Sequence, residues 1–246
     1  MISAMGSESE KHQELKRCAA MWAQVHGYRM VGTEVALPNS RYRADVAAYR
    51  PERKAQGALA IGQTAVFECK QARSDFLKDA RSLAASLERL KELHARRASL
   101  ESLLAVHYPS LRSGETLFPE YDRYDFAPLS HKGYAAVIRE IRIVNRRVYE
   151  KTKFDRLLQW RCANVNYLVV SKGILEEHEV PEGWGLLCHD EAGSDSLRLA
   201  RRPVFVECAE STRLELLQRL AAIGTRELNR QLELDPEALW TGGRSV

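Results

Sequence analysis

The run Thr64-Ala-Val-Phe-Glu-Cys-Lys70 has strand character and ends in two charges. Side chains alternate along a strand, so Glu68 and Lys70 share one face and Cys69 points the other way, toward the core. An acid and a lysine closing an apolar strand need a reason, because both types are depleted in strands and are seldom buried unpaired. One reading is a solvated cross-face ion pair, worth at most about 1 kcal/mol. A second strand upstream, Arg43-Ala-Asp-Val-Ala-Ala-Tyr49, carries a single acid, Asp45, near its start. Two acids and a lysine converging at strand ends form a set that can hold a divalent metal beside a phosphate. Carboxylates suit Mg²⁺, which uses one or two of them and keeps several waters. A lysine in that place can orient water or offset charge on phosphoryl oxygens.

These residues need elements to carry them. Leu15, Cys18, Ala19, Trp22 and Val25 recur at helical spacing and predict a helix over 9–26, stopped by Gly27. Glu14 lies beside that apolar face. Residues 30–37 read as the first strand, with the acid Glu34 inside it, closed by the turn signal Pro38-Asn-Ser. The Asp45 strand follows, then a connecting loop over 50–62, then the Glu68 strand. These three strands predict a meander with Asp45 and Glu68 on neighbours. Ser74 and Asp75 suit the start of a long helix to about Val106. Residues 108–129 are irregular and aromatic (Tyr108, Phe118, Tyr121, Tyr124, Phe126), and helices follow over 132–150 and 152–162. The apolar run 164–170 reads as a central strand. Trp184–Cys188, 197–199 and 204–207 read as further strands. Ser211 or Thr212 caps a last helix carrying Leu214, Leu217, Leu220 and Ala221, and the chain from about Asp235 onward reads as loosely ordered. The order predicts an α/β sandwich with a mixed sheet.

Composition narrows the class. The 246 residues are 45% hydrophobic and 28% charged, with a formal net charge of +4, which permits a polyanionic partner without requiring one. Five scattered cysteines without a Cys-x-x-Cys argue for a reduced, cytoplasmic protein and against a disulfide framework or a structural zinc site. No apolar run reaches the roughly 20 residues of a membrane span, and the polar first residues do not read as a signal peptide. Arg139, Arg142 and Arg146 share a helix face that can follow phosphates or simply be solvated. Tyr121 and Tyr124 can stack on bases or fill a satellite core. His12, His26 and His131 have no partner at motif spacing.

The pattern resembles the PD-(D/E)XK nuclease superfamily. Asp45 and Glu68 match its metal-binding acids, Lys70 its catalytic lysine, and the Cys69 carbonyl a further ligand position. Glu14 is placed like its first-helix acid. More narrowly, Glu34 with Arg41-Tyr-Arg-Ala-Asp45, and Glu68-Cys-Lys-Gln-Ala-Arg-Ser-Asp-Phe-Leu-Lys-Asp79, are similar to the MmcB-type DNA-repair proteins. The resemblance covers about 14–79 and 152–230. It implies a restriction-endonuclease-like core over 1–79 and 152–246, with 80–151 as an inserted helical arm able to dock a protein partner or a second copy. It implies DNA as partner, Mg²⁺ or Mn²⁺ as cofactor, and phosphodiester hydrolysis in repair or processing. Asp45 and Glu68 would hold the ion, with Glu34 or Glu14 in support. Lys70 would position the attacking water. Gln71 would contact water or nucleic acid, while Arg41, Arg43 and Arg73 contact flanking phosphates. Two rivals remain: a DNA-binding or scaffold module on the same fold that never cleaves, and a small-molecule hydrolase whose binding depends little on salt.

Overall fold

The computed structural model describes residues 9–53, 59–79, 84–113, 123–126, 128–190 and 196–235. Phe118 and Tyr121, the expected helix continuation through 80–83, the 54–58 part of the expected loop and the end from 236 lie outside them. So do residues 1–8.

The chain is α/β, with a six-stranded mixed sheet flanked by helices. The strands are β1 (Met30–Ala36), β2 (Arg43–Arg53), β3 (Leu59–Lys70), β6 (Val165–Ser171), β7 (Gly185–His189) and β8 (Leu197–Arg201), in the order β1-β2-β3-β6-β7-β8. The first three form the expected antiparallel meander. β3, β6 and β7 are parallel to one another, and β8 returns antiparallel. Every residue of β6 is buried, which matches its unbroken apolar run and central place. A two-residue pair, β4 (Arg112–Ser113) with β5 (Arg123–Tyr124), stands apart.

Helix α1 (Glu10–Val25), capped by the Ser9 side chain, covers one face of the sheet. Its Leu15, Cys18, Ala19 and Trp22 pack on Val46, Phe67, Tyr167 and Val169. Val25, expected in that stripe, is 82% exposed, because it sits in the last turn before Gly27 (φ +87°) reverses the chain. The opposite face is covered by α2 (Arg73–Asp79), α5 (Lys153–Gln159) and α6 (Glu210–Gln231), and by the bases of α3 (Ala84–His107) and α4 (Lys132–Tyr149).

Several boundaries differ from the sequence reading. β2 and β3 extend as a hairpin into 50–53 and 59–63, where Pro51 and the charges suggested a loop. Residues 204–207 form no strand. Pro203 precedes them, and Val204 and Val206 give their amide protons to the Gly183 and Asn164 carbonyls at 3.0 and 2.8 Å. α2 starts ahead of Ser74, so Ser74 is not its cap. α6 begins at Glu210 without a side-chain cap, and Thr212 accepts a hydrogen bond from Asn39 Nδ2 at 3.1 Å. Its buried stripe is Thr212, Leu216 and Leu220, while Leu214 is exposed.

The two helices described within 80–151 are anchored in the core at one end. Leu87, Leu90 and Leu93 of α3 and Val144, Val148 and Tyr149 of α4 belong to the same core as Val66, Leu168 and Trp184. Only the far ends of the two helices leave it. There Tyr134 donates to Glu101 at 2.7 Å, and Phe126 sits 5.8 Å from the Tyr134 ring and 6.0 Å from Tyr124. Tyr124 and Phe126 therefore fill a satellite cluster.

Candidate active site at the carboxyl ends of the central strands

β2 runs antiparallel to β3, so the start of β2 meets the end of β3 and Asp45 faces the Glu68–Lys70 stretch. The β1–β2 register continues there, but the alternation of faces slips in both strands. Val46 and Ala48 face α1, while Ala47 and Tyr49 face the other side. Alternation would put Ala44 with Val46, yet it lies with Ala47. β1 slips at the same level: Gly32 packs on Leu220 of α6, and Val35 shares that side. Between them Glu34 has φ +53°, and the Glu34–Asp45 step falls between the pairs Thr33–Val46 and Val35–Ala44. A left-handed backbone at a non-glycine residue is strained by roughly 1–3 kcal/mol and clusters at functional sites. The slip frees both acids from the pleat. Asp45 Oδ2 accepts the Cys69 backbone N–H at 2.6 Å, taking the place of a strand carbonyl.

Cys69 faces α1, while Glu68 and Lys70 face the α2/α5 side. Glu68 is 1% exposed. Its counter-ion is Lys153, at the first position of α5, whose Nζ lies 2.7 Å from Oε1 and 2.8 Å from Oε2 and donates also to the Arg43 carbonyl at 2.9 Å. The direction of the ammonium serves Oε2, and Oε1 receives no hydrogen bond. Thr152 caps α5, and Phe154 is sunk against Trp184 and Phe76, which holds Lys153 over the strand end. Burial pushes the Glu68 carboxyl up to about 7; Lys153 opposes the rise, Asp45 adds to it, and Lys70 opposes it. Asp45 and Lys70 thus both act on Glu68 through space. Lys70 Nζ is 6.0 Å from the Phe154 ring centroid. Burial also drives the Cys69 thiol well above its ordinary value, so this sulfur is an inert core group and only its backbone is available.

The other expected ligands are placed elsewhere. Glu34 is held by Lys16 of α1, which is buried, and lies 3.5 Å from Arg43. Burial would raise its carboxyl, but these two cations bring it below the usual value. Glu14 is exposed on α1 and lines a separate cavity. The α1 residue beside Asp45 is His12, with Nε2 3.7 Å from Oδ1. Gln71 accepts from Ser9, the α1 cap. α1 therefore presents Ser9, His12 and Lys16 along one stripe to Gln71, Asp45 and Glu34. Among the described residues, no group of three His, Cys, Asp or Glu side chains is placed to hold a metal ion.

Of the expected phosphate contacts, Arg41 and Arg43 are exposed near the site. Arg73 is committed to a structural task. Its guanidinium pairs with both oxygens of buried Glu179, one of them at 2.7 Å, and reaches the Ile174 carbonyl at 3.3 Å. On α4, Arg139, Arg142 and Arg146 are exposed, and Arg142 lies 3.4 Å from Glu182. His131 caps α4, its Nδ1 accepting from the Tyr134 N–H at 3.0 Å.

Lys153 and His12 escaped the sequence reading. Lys153 is an ordinary helix-start lysine far along the chain, and no spacing signals its place. His12 could have been found, since it lies one turn from Lys16 on the helix that packs over both acids.

No protein-family model and no curated protein matches the chain. Among solved structures, the SPO1766 protein of unknown function from Silicibacter pomeroyi is similar at 18% identity over 98% of this chain and 99% of its own, with a TM-score of 0.49. No helix among the described residues is long and apolar enough to cross a membrane.

Proposed function

We propose that the chain is a metal-dependent phosphodiesterase acting on DNA, with Asp45, Glu68 and Lys70 at its centre and a role in DNA repair or processing. One observation carries the reading: the Asp45 carboxylate is hydrogen-bonded to the backbone of the residue between Glu68 and Lys70. That bond holds Asp45 against the strand end that carries Glu68 and Lys70, and the carboxyl end of parallel strands is the usual place for a site.

The donor set fits a hard cation with one condition. Asp45, Glu68 and the Cys69 carbonyl supply oxygen ligands, and Mg²⁺ or Mn²⁺ needs no more than one or two carboxylates. Glu68 Oε1 is buried with the Lys153 ammonium 2.7 Å away, so a cation already occupies the place a metal ion would take. The condition is that the Lys153 ammonium now rests on that carboxylate and has to move aside. The chemistry such an ion supplies when bound is polarisation of a phosphoryl oxygen and a lowered pKa for its water. Asp45 and Glu68 orient the ion, Lys70 places the attacking water or offsets charge on the phosphoryl oxygens, and Arg41 and Arg43 hold flanking phosphates. Glu34 and Lys16 brace the β1–β2 slip that presents Asp45.

A second reading is favoured by the same lysine. If Lys153 stays on Glu68, the ammonium fulfils the cation's role permanently and the chain binds DNA without cutting it. A digest of single-stranded, nicked and branched DNA with added Mg²⁺ or Mn²⁺ separates the two. Cleavage supports the phosphodiesterase, and DNA binding without any cleavage supports the module.

A further inference from the structure

The first two turns of α1 carry a second stripe beside Ser9, His12 and Lys16. Glu10, Gln13, Glu14 and Arg17 face away from Asp45 and, with Lys11, roof a cavity of about 730 Å³. Its floor is the carboxyl ends of β6 and β7, where Ser171 and His189 are register partners and both point to the α1 side. Ser171 is 1% exposed and His189 is buried. Among the described residues, Ser171 Oγ has no hydrogen-bond partner. A buried hydroxyl without a partner, on the floor of a cavity, calls for a group to complete it.

We propose that this cavity is a nucleotide subsite, seating one nucleotide of the strand whose phosphodiester reaches Asp45, Glu68 and Lys70. The inference rests on the proposed phosphodiesterase for the identity of the ligand, and on the cavity itself for its chemistry. The volume lies in the range of roughly 300–1,000 Å³ typical of small-ligand sites. Lys11 and Arg17 are balanced by Glu10 and Glu14, so the lining suits a ligand with one anionic group and several hydrogen-bonding edges better than a bare anion. A nucleotide has that make-up. Arg17 or Lys11 takes the phosphate. Gln13 and the carboxylates can pair with exocyclic amino groups and ring nitrogens, and Ser171 with a sugar or base oxygen. The path between the two places is short: the Ser9–Gln71 and His12–Asp45 contacts put the neighbouring stripe of the same helix turns at the end of β3.

The test is a calorimetric titration of the full chain, in EDTA, with each of the four deoxynucleoside monophosphates and with inorganic phosphate. At least one nucleotide is expected to bind saturably, with Kd raised tenfold or more in Arg17→Ala and Ser171→Val, and phosphate is expected to bind at least tenfold more weakly. Gln13→Ala, on the exposed side, covers the case in which Ser171→Val fails to fold. The proposal is overturned if no nucleotide binds, if the variants bind as the parent does, or if phosphate alone binds as tightly. The readout needs no metal and no cleavage. Cleavage without nucleotide binding removes the subsite alone, and nucleotide binding retained without any cleavage removes the phosphodiesterase alone.

Discussion

Glu68 is a buried acid whose proton is worth stability. Burial pushes its folded carboxyl up to about 7 from an ordinary value of 4.5, so the folded chain holds a proton that the unfolded chain releases earlier. Stability from this group is full below about pH 4.5 and is lost as pH rises through 7, by about 3 kcal/mol. Urea unfolding followed from pH 5 to pH 8 should show the wild type losing about that much more than Glu68→Gln; parallel curves would show that Glu68 is not held this way. Lys153→Met leaves the ionised carboxylate without its counter-ion and should cost about 3 kcal/mol or more at pH 8, and distinctly less at pH 5 where Glu68 is protonated. Asp45→Asn keeps an oxygen for the Cys69 N–H but removes a charge, so metal affinity by calorimetry should fall while the unfolding midpoint barely moves. Arg73 belongs to a different account. Arg73→Ala should destabilise by roughly 2–3 kcal/mol, because it strands buried Glu179, and should leave the salt dependence of DNA binding unchanged. Asp45, Glu68 and Lys70 stand out in the sequence by type and spacing, and the antiparallel pairing of β2 and β3 brings their strand ends together. The counter-ions do not stand out, because Lys153 and Lys16 look like any helix lysine until the fold lays them on an acid.

The element that positions the site is the meander, through an irregularity that period-two reasoning passes over. The alternation of 43–49 predicts a plain strand, and only the pairing on either side of Asp45 shows the slip. The left-handed Glu34 opposite is the local signature of that slip, and it explains an acid that made no sense as a core residue. A second irregularity lies along the same hairpin, where the β2–β3 register shifts between Arg50 and Glu52. Gly62 fits there because a Cβ would collide with the Arg50 carbonyl and sit 2.8 Å from the Glu52 nitrogen. Gly62→Ala should therefore destabilise by about 2 kcal/mol or more, read from the urea midpoint, although the site lies at the other end of β3. Helix α1 was predicted for its apolar stripe, which holds up to Trp22. Its two polar stripes could not be ranked without knowing which one overlies β3.

For the whole molecule, the three-strand meander and the central place of β6 followed from the sequence patterns, whereas the order of the remaining strands did not. Within the expected insertion over 80–151, α3 and α4 add residues to the core that α5 and α6 share. Excising 80–151 from the full chain should abolish cooperative unfolding by calorimetry and not yield a trimmed, working core. The mild net charge of +4 is consistent with contacts local to one edge, where Arg41 and Arg43 lie, and not spread over the surface. One digest tests the proposed phosphodiesterase most directly, run with Mn²⁺ on single-stranded, nicked and branched DNA and comparing the wild type with Lys70→Ala. Cutting of at least one substrate by the wild type, and none by a folded Lys70→Ala, is the predicted result. Equal cutting by both, or bound but intact DNA with the wild type, would contradict it.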